Sequence, residues 1–188
     1  MTRIIGIAGS IRKASFNAAL LRNAAELAPS GCKVEIASIK NIPLYDGDLE
    51  AESGIPAPVA ALKDLVAGAD GLLLVTPEYN NSIPGVFKNA IDWMTRPAAD
   101  IPRVFGGRAV GLIGATPGGM GTTFSQTAWL PVLRTLGTRP FFGKSLYVSG
   151  ATKVFDADGK LTDNDLRERL RVYMEQFAAF VSSAAKSK

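Results

Sequence analysis

The stretch G-S-I-R-K-A-S-F-N at residues 9–17 marks the first turn from a strand to a helix. The apolar run I-I-G-I-A at 4–8 precedes it and predicts a buried strand. Apolar residues at helical spacing follow it and predict an amphipathic helix: Phe16, Leu20, Ala24 and Leu27. This order is typical of an open α/β sheet, in which such a turn often binds phosphate.

The same stretch contains several groups that bind anions. Gly9 permits a tight turn, and the first helical amides point their N–H groups and the positive end of the helix dipole at it. Ser10 and Ser15 add hydroxyl groups, and Asn17 adds an amide. Arg12 adds a guanidinium that can bind two phosphate oxygens at once. Each residue also has a structural alternative, with Ser15 as a helix cap, Arg12 as a solvated charge and Gly9 as a turn residue. Their combination directly after a first strand favours an anion site.

Composition excludes several classes of mechanism. The 188 residues contain no histidine, which excludes a Ser-His-Asp triad, a histidine metal ligand and an imidazole proton relay. The single cysteine, Cys32, excludes an internal disulfide and a cysteine-cluster metal site, and we expect it to be a small filler beside the second strand. We therefore expect a bound cofactor to carry any chemistry, with no catalytic side chain and no metal.

Charge and hydropathy limit the partners. The net charge is +4, but lysines and arginines are scattered and no basic run is interleaved with aromatic residues. We therefore expect no nucleic acid, only a mild attraction for small anions. The first apolar run is too short for a signal peptide, and no run approaches the roughly 20 apolar residues that span a bilayer. The prediction is a cytoplasmic protein without a membrane span.

Strand and helix patterns alternate along the rest of the chain. Further strands are predicted at 33–38, 71–76, 109–115 and within 139–148, and further helices at 59–66, 85–94 and 123–136. Pro56 and Pro58 lie at the entry of the helix at 59–66, and Pro131 predicts a kink or a late start in the helix at 123–136. The last helix is predicted near Thr162, where Thr162 and Asp165 form a capping box. The segments 43–55 and 151–159 are predicted loops, and about 183–188 a frayed tail.

This alternation predicts one α/β domain over residues 1–188, with a parallel sheet, right-handed crossovers and helices on both faces. Ligands then bind at the carboxyl ends of the strands, where two more loops are unusual. The loop T-P-E-Y-N-N-S-I-P at 76–84 is stiffened by Pro77 and Pro84, and Tyr79 gives it a flat face. Its polar groups are those of Glu78, Asn80 and Asn81. A rigid loop of this kind, beside the glycine-rich turn at 116–122, suits a heteroaromatic ligand.

These loops also have structural alternatives. Tyr79 fits simple packing, the two asparagines fit a turn, and the glycines fit a tight loop. Lys88 and Asp92 are predicted to be an i,i+4 surface pair, and Trp93 a core or interface residue. The Asp156–Asp158 stretch lacks the other ligands of a calcium loop and is predicted to be a turn.

At the level of whole motifs the chain resembles a known family. The segments at 9–17 and 76–93, the latter reading T-P-E-Y-N-N-S-I-P-G-V-F-K-N-A-I-D-W, resemble the NADPH-dependent FMN reductases, in the branch with chromate reductases, quinone reductases and azoreductases. The resemblance implies a flavodoxin-like three-layer sandwich with a five-stranded parallel sheet of order 2-1-3-4-5. It also implies noncovalent FMN, NADPH or NADH as hydride donor, small-molecule acceptors, and a homodimer or homotetramer. Trp93 and Trp129 are candidate interface anchors.

The resemblance also assigns roles by motif position. We call the segments 9–17, 76–84 and 116–122 the first, second and third loops. The FMN phosphate is expected against the first loop, at Gly9, Ser10, Arg12, Ser15, Phe16 and Asn17. The isoalloxazine ring is expected along the second and third loops, at Pro77, Glu78, Tyr79, Asn80, Ser82, Thr116, Gly118 and Gly119.

The predicted activity is hydride transfer from NAD(P)H through FMN to quinones, azo compounds, chromate or free flavin. Two alternatives stay open at this point. One is a flavodoxin-like electron carrier without direct NAD(P)H oxidation, which the basic charge and Arg12 disfavour because flavodoxins are usually acidic with a hydroxyl-rich phosphate loop. The other is a flavin-free sensor or binding domain on the same fold.

Overall fold

The computed structural model describes residues 1–185 and places a parallel sheet at the centre. The strands are Thr2–Ala8 (β1), Cys32–Ala37 (β2), Gly71–Val75 (β3), Ala109–Ala115 (β4), Arg139–Pro140 (β5) and Tyr147–Val148 (β6). Their order is β2-β1-β3-β4-β5, with β6 pairing to the end of β4. This order and the parallel pairing confirm the predicted flavodoxin-like sheet.

Helices cover both faces of the sheet. In chain order they are Phe16–Glu26 (α1), Gly47–Ser53 (α2), Ala57–Ala67 (α3), Gly85–Met94 (α4), Ile101–Val104 (α5), Thr123–Thr135 (α6), Ala151–Val154 (α7) and Asn164–Ala185 (α8), with a 3-10 turn at Ala98–Asp100. α1 and α8 pack on one face, and α3, α4 and α6 pack on the other.

The apolar run of β1 explains this layering. Ile4 packs with α1 and α8, whereas Ile5 and Ile7 pack with the helices of the opposite face. Successive side chains of a strand point to opposite faces, so a central strand between two helical layers must be apolar on both. β3 is buried along its whole length for the same reason.

The predicted fifth strand is wrong in one respect, because 139–148 forms two short strands. β5 pairs with Ala109 and Val110 at the start of β4, and β6 pairs with Gly114 and Ala115 at its end. The Phe141 N–H still donates to the Val110 carbonyl at 2.8 Å, and the chain then leaves the sheet until Tyr147.

Further predictions are corrected where helices begin and end. The predicted loop at 43–55 contains α2, which buries no side chain and so lacks an apolar stripe. The predicted loop at 151–159 begins with α7. The cap of α8 is Asp163, whose carboxylate accepts the Leu166 N–H at 2.8 Å, and the predicted Thr162 capping box is wrong. Pro131 lies inside α6, so the late start is also wrong. Of the predicted tail, 183–185 belong to α8, and 186–188 lie outside the described residues.

The two tryptophans lie in the core of the chain. Trp93 is 0% exposed and donates its indole N–H to the Pro43 carbonyl at 2.9 Å. Trp129 is also 0% exposed and meets the Phe87 ring edge-on at 5.0 Å. They are therefore not interface anchors. Lys88 and Asp92 form the predicted surface pair at 2.7 Å.

Candidate functional site

The loops that follow β1, β3 and β4 meet at one edge of the sheet. These strands are neighbours, so their carboxyl ends bring the three predicted segments side by side. The loops enclose a cleft of about 120 Å³. Predicted site residues that line it are Ser10, Arg12, Ser15, Phe16, Asn17, Pro77, Glu78, Tyr79 and Thr116. The sequence prediction omitted Ala115 and Pro117 from the site, although they flank Thr116 and also line the cleft.

The other predicted residues lie outside the lining of this cleft. Gly9 is buried beneath it. Asn80 and Ser82 lie in the turn beyond Tyr79. Gly118 and Gly119 follow Pro117 on the exposed rim. Their proximity to the cleft comes from the loops they share with its lining.

The start of α1 lies at the cleft and has unpaired backbone N–H groups. The Ser15 hydroxyl accepts the Ala18 N–H at 3.2 Å, so Ser15 is the helix cap. Within residues 1–185, the backbone N–H groups of Phe16 and Asn17 find no acceptor, as expected in a first helical turn. Two free amides therefore point toward the loop together with the positive end of the helix dipole.

Arg12 has no carboxylate partner in the described part of the chain. Its guanidinium donates to the Ala14 carbonyl at 2.8 and 3.2 Å and lies 5.9 Å from the centre of the Phe16 ring. The side chain is exposed, and its charge is not neutralised by an ion pair. It is a cation available to an anionic ligand at the mouth of the cleft.

Asn17 has a structural role that the sequence did not indicate. Its side-chain N–H donates to the Ala115 carbonyl at 2.8 Å, and its carbonyl oxygen accepts the Ala115 N–H at 2.9 Å. The side chain is 4% exposed. Asn17 thus joins the first turn of α1 to the last residue of β4, and it fixes the distance between the first and third loops.

Gly9 is required by packing more than by backbone conformation. A Cβ on Gly9 would lie 2.1 Å from the ring of Phe87, which is fully buried in α4. No side chain fits in that space without moving the ring. The missing side chain lets the end of β1 lie directly against α4.

The loop at 76–84 folds back as a tight two-residue turn. Tyr79 and Ser82 exchange backbone hydrogen bonds of 3.1 and 3.0 Å, and Asn80 and Asn81 between them have φ values of 48° and 60°. Positive φ at both central positions is the type I′ geometry that asparagine tolerates. The asparagines are turn residues, as in the structural alternative, and the turn leaves Tyr79 48% exposed.

Glu78 connects this loop to α6. Its carboxylate accepts the Ser125 N–H at 3.0 Å, in the first turn of that helix. Thr122, the residue before α6, has φ 66° and makes no side-chain capping bond. The carboxylate therefore supplies the cap from a different loop and lies at the positive end of the helix.

A buried polar network supports the same junction. Thr76 Oγ1 lies 2.8 Å from Ser125 Oγ and accepts the Trp129 indole N–H at 3.1 Å. These residues were not predicted as part of the site. The only sequence signal for them is the position of Thr76, a polar residue at the end of an apolar strand.

The side chains that line the open cleft have the chemistry to bind a phosphate and a flat ring. At one end are the free amides of α1, the uncompensated Arg12 and the hydroxyls of Ser10 and Ser15. At the other end are flat or rigid side chains, those of Pro77, Tyr79 and Pro117. FMN has this combination of groups. Within residues 1–185, no three side chains of histidine, cysteine, aspartate or glutamate are grouped to hold a metal ion, and no helix has the length and apolar character to span a bilayer.

Comparison with known proteins shows the family of the chain. The family model of NADPH-dependent FMN reductases matches residues 2–153. An NAD(P)H-dependent FMN reductase of Pseudomonas aeruginosa is 37% identical over 179 residues, which are 95% of each chain. A 2-hydroxy-1,4-benzoquinone reductase of a Burkholderia species is also 37% identical over 179 residues, 95% of this chain and 96% of that protein.

A solved structure extends the similarity to the whole fold. FerB, a flavoenzyme NAD(P)H:(acceptor) oxidoreductase from Paracoccus denitrificans, superposes with a TM-score of 0.87 at 31% identity, covering 98% of this chain and 99% of FerB. The chain therefore belongs to the family of NADPH-dependent FMN reductases.

Proposed function

We propose that this protein is an FMN-dependent NAD(P)H oxidoreductase that passes electron pairs to quinones. The observation that carries the proposal is the cleft itself, in which an anion site at the start of α1 faces a flat, rigid wall from two other loops. Family membership supports the flavin and the nicotinamide donor. The quinone acceptor rests on relatives named for quinone reduction.

The protein's own residues would bind and orient the cofactor. Arg12, the hydroxyls of Ser10 and Ser15, and the free amides of α1 would hold the phosphate by charge-assisted hydrogen bonds. Pro77 and Tyr79 would lie along the ring, held in place by the tight turn at 79–82. The chemistry that bound FMN would supply is the uptake of a hydride and the later transfer of two electrons to an acceptor.

The backbone of the second loop has limited capacity to stabilise charge on the ring. The Tyr79 N–H is already donated to Ser82, so it is not a free donor. The N–H groups of Glu78 and Asn80 find no acceptor among residues 1–185, and these two would face the growing negative charge. The Glu78 carboxylate stays bonded to α6, away from that role.

An exposed cleft suits a broad choice of acceptors. Tyr79 is about half exposed at its rim, and no lid covers it in the described residues. Azo compounds, chromate and free flavin stay predictions beside the quinones. The flavodoxin-like carrier is not favoured, since relatives along nearly the whole chain are named as reductases.

We also propose that the protein forms a homodimer or homotetramer in the cytoplasm. The tryptophans do not supply the contact. Exposed apolar side chains are candidates, namely Met120 in the third loop, Phe124 in the first turn of α6 and Phe142 after β5. Sedimentation of the FMN-loaded protein tests the assembly.

Steady-state assays test the proposed activity. Without oxygen, FMN-loaded protein should oxidise more than one NAD(P)H per flavin only when a benzoquinone is added as acceptor. The protein stripped of FMN should be inactive until FMN is restored. A turnover rate that is the same with and without FMN would overturn the proposal.

A further inference from the structure

A cavity of about 610 Å³ lies beside the phosphate end of the FMN cleft. It shares Arg12, Ser15 and Phe16 with the lining of that cleft. From there it extends along α1 to Arg22, and the segment 155–159 borders it on the other side. The second and third loops contribute nothing to its lining. The cavity therefore lies beyond the phosphate of a flavin whose ring lies along those two loops.

The cavity has the size of a site for a ligand with several groups. Ser15 caps α1 and Arg22 lies in the second turn of the helix, so the two residues are about 10 Å apart along the helix axis. The volume lies within the roughly 300–1,000 Å³ of pockets that bind small organic molecules. A single phosphate would fill only a small part of it.

Two cations in the cavity are without a partner in the described part of the chain. Lys13 and Arg22 form no ion pair and no hydrogen bond with residues 1–185. The Arg22 Nη2 atom lies 2.6 Å from the position that a Cβ on Gly159 would take, so the guanidinium lies against the segment 155–159. Arg12 lines the FMN cleft, but Lys13 and Arg22 do not. These two cations are therefore available to a second phosphate.

Two carboxylates show that the cavity is more than an anion site. Asp156 and Asp158 both line it, and the Asp158 carboxylate has no hydrogen-bond partner among residues 1–185. The Asp156 Oδ1 atom accepts the N–H groups of Asp158 and Lys160 at 3.0 and 2.8 Å, which leaves Oδ2 free. A carboxylate repels a phosphate but accepts hydrogen bonds from ribose hydroxyls. Charges of both signs in one cavity suit a nucleotide.

Apolar side chains supply a surface for a base. The rings of Phe16 and Phe155 stack at 6.0 Å, and Ala19 and Ala157 lie beside them in the lining. Phe155 is buried, whereas Phe16 is only partly buried and offers part of its ring to the cavity. Bases of nucleotides stack on such rings.

The segment that borders the cavity is fixed to α1. Asn23 is 3% exposed, donates to the Gly159 carbonyl at 2.8 Å and accepts the Leu161 N–H at 3.2 Å. The helix whose start would bind the flavin phosphate therefore also positions the opposite wall of the cavity.

We propose that this cavity binds the AMP group of FAD, so that the flavin site accepts FAD as well as FMN. The inference rests on the proposed flavin site and extends it. FAD is FMN joined through its phosphate to AMP, so its second phosphate, ribose and adenine continue from the phosphate end of the cleft. Lys13 and Arg22 bind the second phosphate, Asp158 accepts the ribose hydroxyls, and the adenine lies against Phe16.

Calorimetric titration of the FMN-free protein with FMN and with FAD tests the cavity apart from catalysis. FAD should bind the wild type at least as tightly as FMN does. In Lys13→Gln/Arg22→Gln the ratio of the FAD Kd to the FMN Kd should rise about tenfold or more, as the loss of one charge-assisted contact implies. The matched control Lys33→Gln/Arg134→Gln also removes two exposed cations, from the amino end of β2 and the last turn of α6, and should keep the wild-type ratio.

Asp158→Ala distinguishes ribose binding from charge repulsion. If the carboxylate accepts ribose hydroxyls, the variant should raise the Kd for FAD and leave the Kd for FMN unchanged. A lower Kd for FAD would show that the carboxylate only repels the phosphates, and it would overturn the inference.

Hydrogen exchange locates the AMP group without a substitution. Backbone N–H groups of the segment 155–161 should exchange more slowly in the FAD complex than in the FMN complex. Equal exchange in the two complexes overturns the inference. A wild-type Kd for FAD above that for FMN, or a Lys13→Gln/Arg22→Gln variant that keeps the wild-type ratio, overturns it as well.

The nucleotide donor is the competing occupant of the cavity. The FMN-loaded double variant should keep the wild-type KM for NADH within about threefold, less than the loss of one charge-assisted contact would cause. A larger rise in this KM, with an unchanged ratio of the FAD Kd to the FMN Kd, would assign the cavity to the donor and overturn the inference.

Failure of the proposed function gives a different result. In that case NAD(P)H bleaches neither the FMN-loaded nor the FAD-loaded protein under anaerobic conditions, whatever the titrations show. If the FMN-loaded protein is bleached but FAD binds more weakly than FMN, the proposed function stands and the assignment of the cavity alone is wrong.

Discussion

At the scale of single residues, the side chains around the cleft divide into those that hold the protein together and those left free for a ligand. Asn17 and Ser15 were both predicted as phosphate donors, but their main bonds are to Ala115 and Ala18. Within residues 1–185, Arg12 has no carboxylate partner and the N–H groups of Phe16 and Asn17 have no acceptor. Sequence identifies the polar residues of a loop, but the partner of each depends on where β4 lies.

Asn17→Ala should destabilise the protein even without FMN. The substitution leaves the buried N–H and carbonyl of Ala115 unpaired, at about 1–3 kcal/mol for each group. Urea unfolding of the FMN-free protein should therefore show a loss of about 2–4 kcal/mol. Asn17→Asp keeps the acceptor for the Ala115 N–H, so its free energy of unfolding should fall by less than that of Asn17→Ala. An unchanged unfolding free energy in Asn17→Ala would mean that the bridge to β4 does not support the fold.

Arg12→Ala should weaken FMN binding while leaving the fold intact. Its guanidinium makes only local bonds to Ala14, so the stability of the FMN-free protein should change little. Loss of a charge-assisted phosphate contact is expected to raise the FMN Kd by about 10- to 100-fold. Fluorescence titration measures this, with the exposed Arg167→Ala in α8 as control. Full FMN occupancy in purified Arg12→Ala would count against the phosphate role.

At the scale of elements, two contacts position the loops. Gly9 lets β1 end against Phe87 of α4, and Glu78 caps α6 from the loop after β3. The positions of β1–β4 and of the long helices could be predicted because their apolar periodicity is strong. α2 was not predictable in this way because it buries no side chain. β5 and β6 were predicted as one strand because the sequence does not show that they pair with opposite ends of β4.

Gly9→Ala should destabilise the fold by about 1–3 kcal/mol through overpacking against Phe87. Thermal unfolding should show a lower Tm, and the double variant Gly9→Ala/Phe87→Leu should recover part of the loss relative to Phe87→Leu alone. Gly85→Ala is the matched control, since no atom lies within 4 Å of its Cβ position. Additive effects of Gly9→Ala and Phe87→Leu would contradict the packing argument.

Glu78→Ala should loosen the start of α6. Loss of the cap on Ser125 is expected to reduce the free energy of unfolding by about 1 kcal/mol. The Ser125 hydroxyl bonds to Thr76, which accepts the Trp129 indole N–H. A shift of Ser125 should therefore also change the tryptophan fluorescence. The exposed Glu52→Ala serves as control, and an unaltered spectrum and stability in Glu78→Ala would show that the carboxylate does not position the loop.

At the scale of the whole molecule, the strand order brings the three loops to one edge and makes them a site. β1, β3 and β4 are adjacent although their loops are far apart in sequence. Alternation of strands and helices was enough to predict the parallel sheet, and the resemblance supplied its order. The capping role of Glu78 could not be predicted, because it depends on a contact between distant segments. The turn at 79–82 is local, and the sequence offered it as the structural alternative for its two asparagines.

The central claim is that this protein takes hydride from NAD(P)H onto bound FMN. The most direct test is to mix the FMN-loaded protein anaerobically with NADPH, and separately with NADH, in a stopped-flow instrument. We expect the visible flavin absorbance to bleach rapidly and to return when a benzoquinone is added. Flavin absorbance that stays unchanged over minutes with both nucleotides would contradict it.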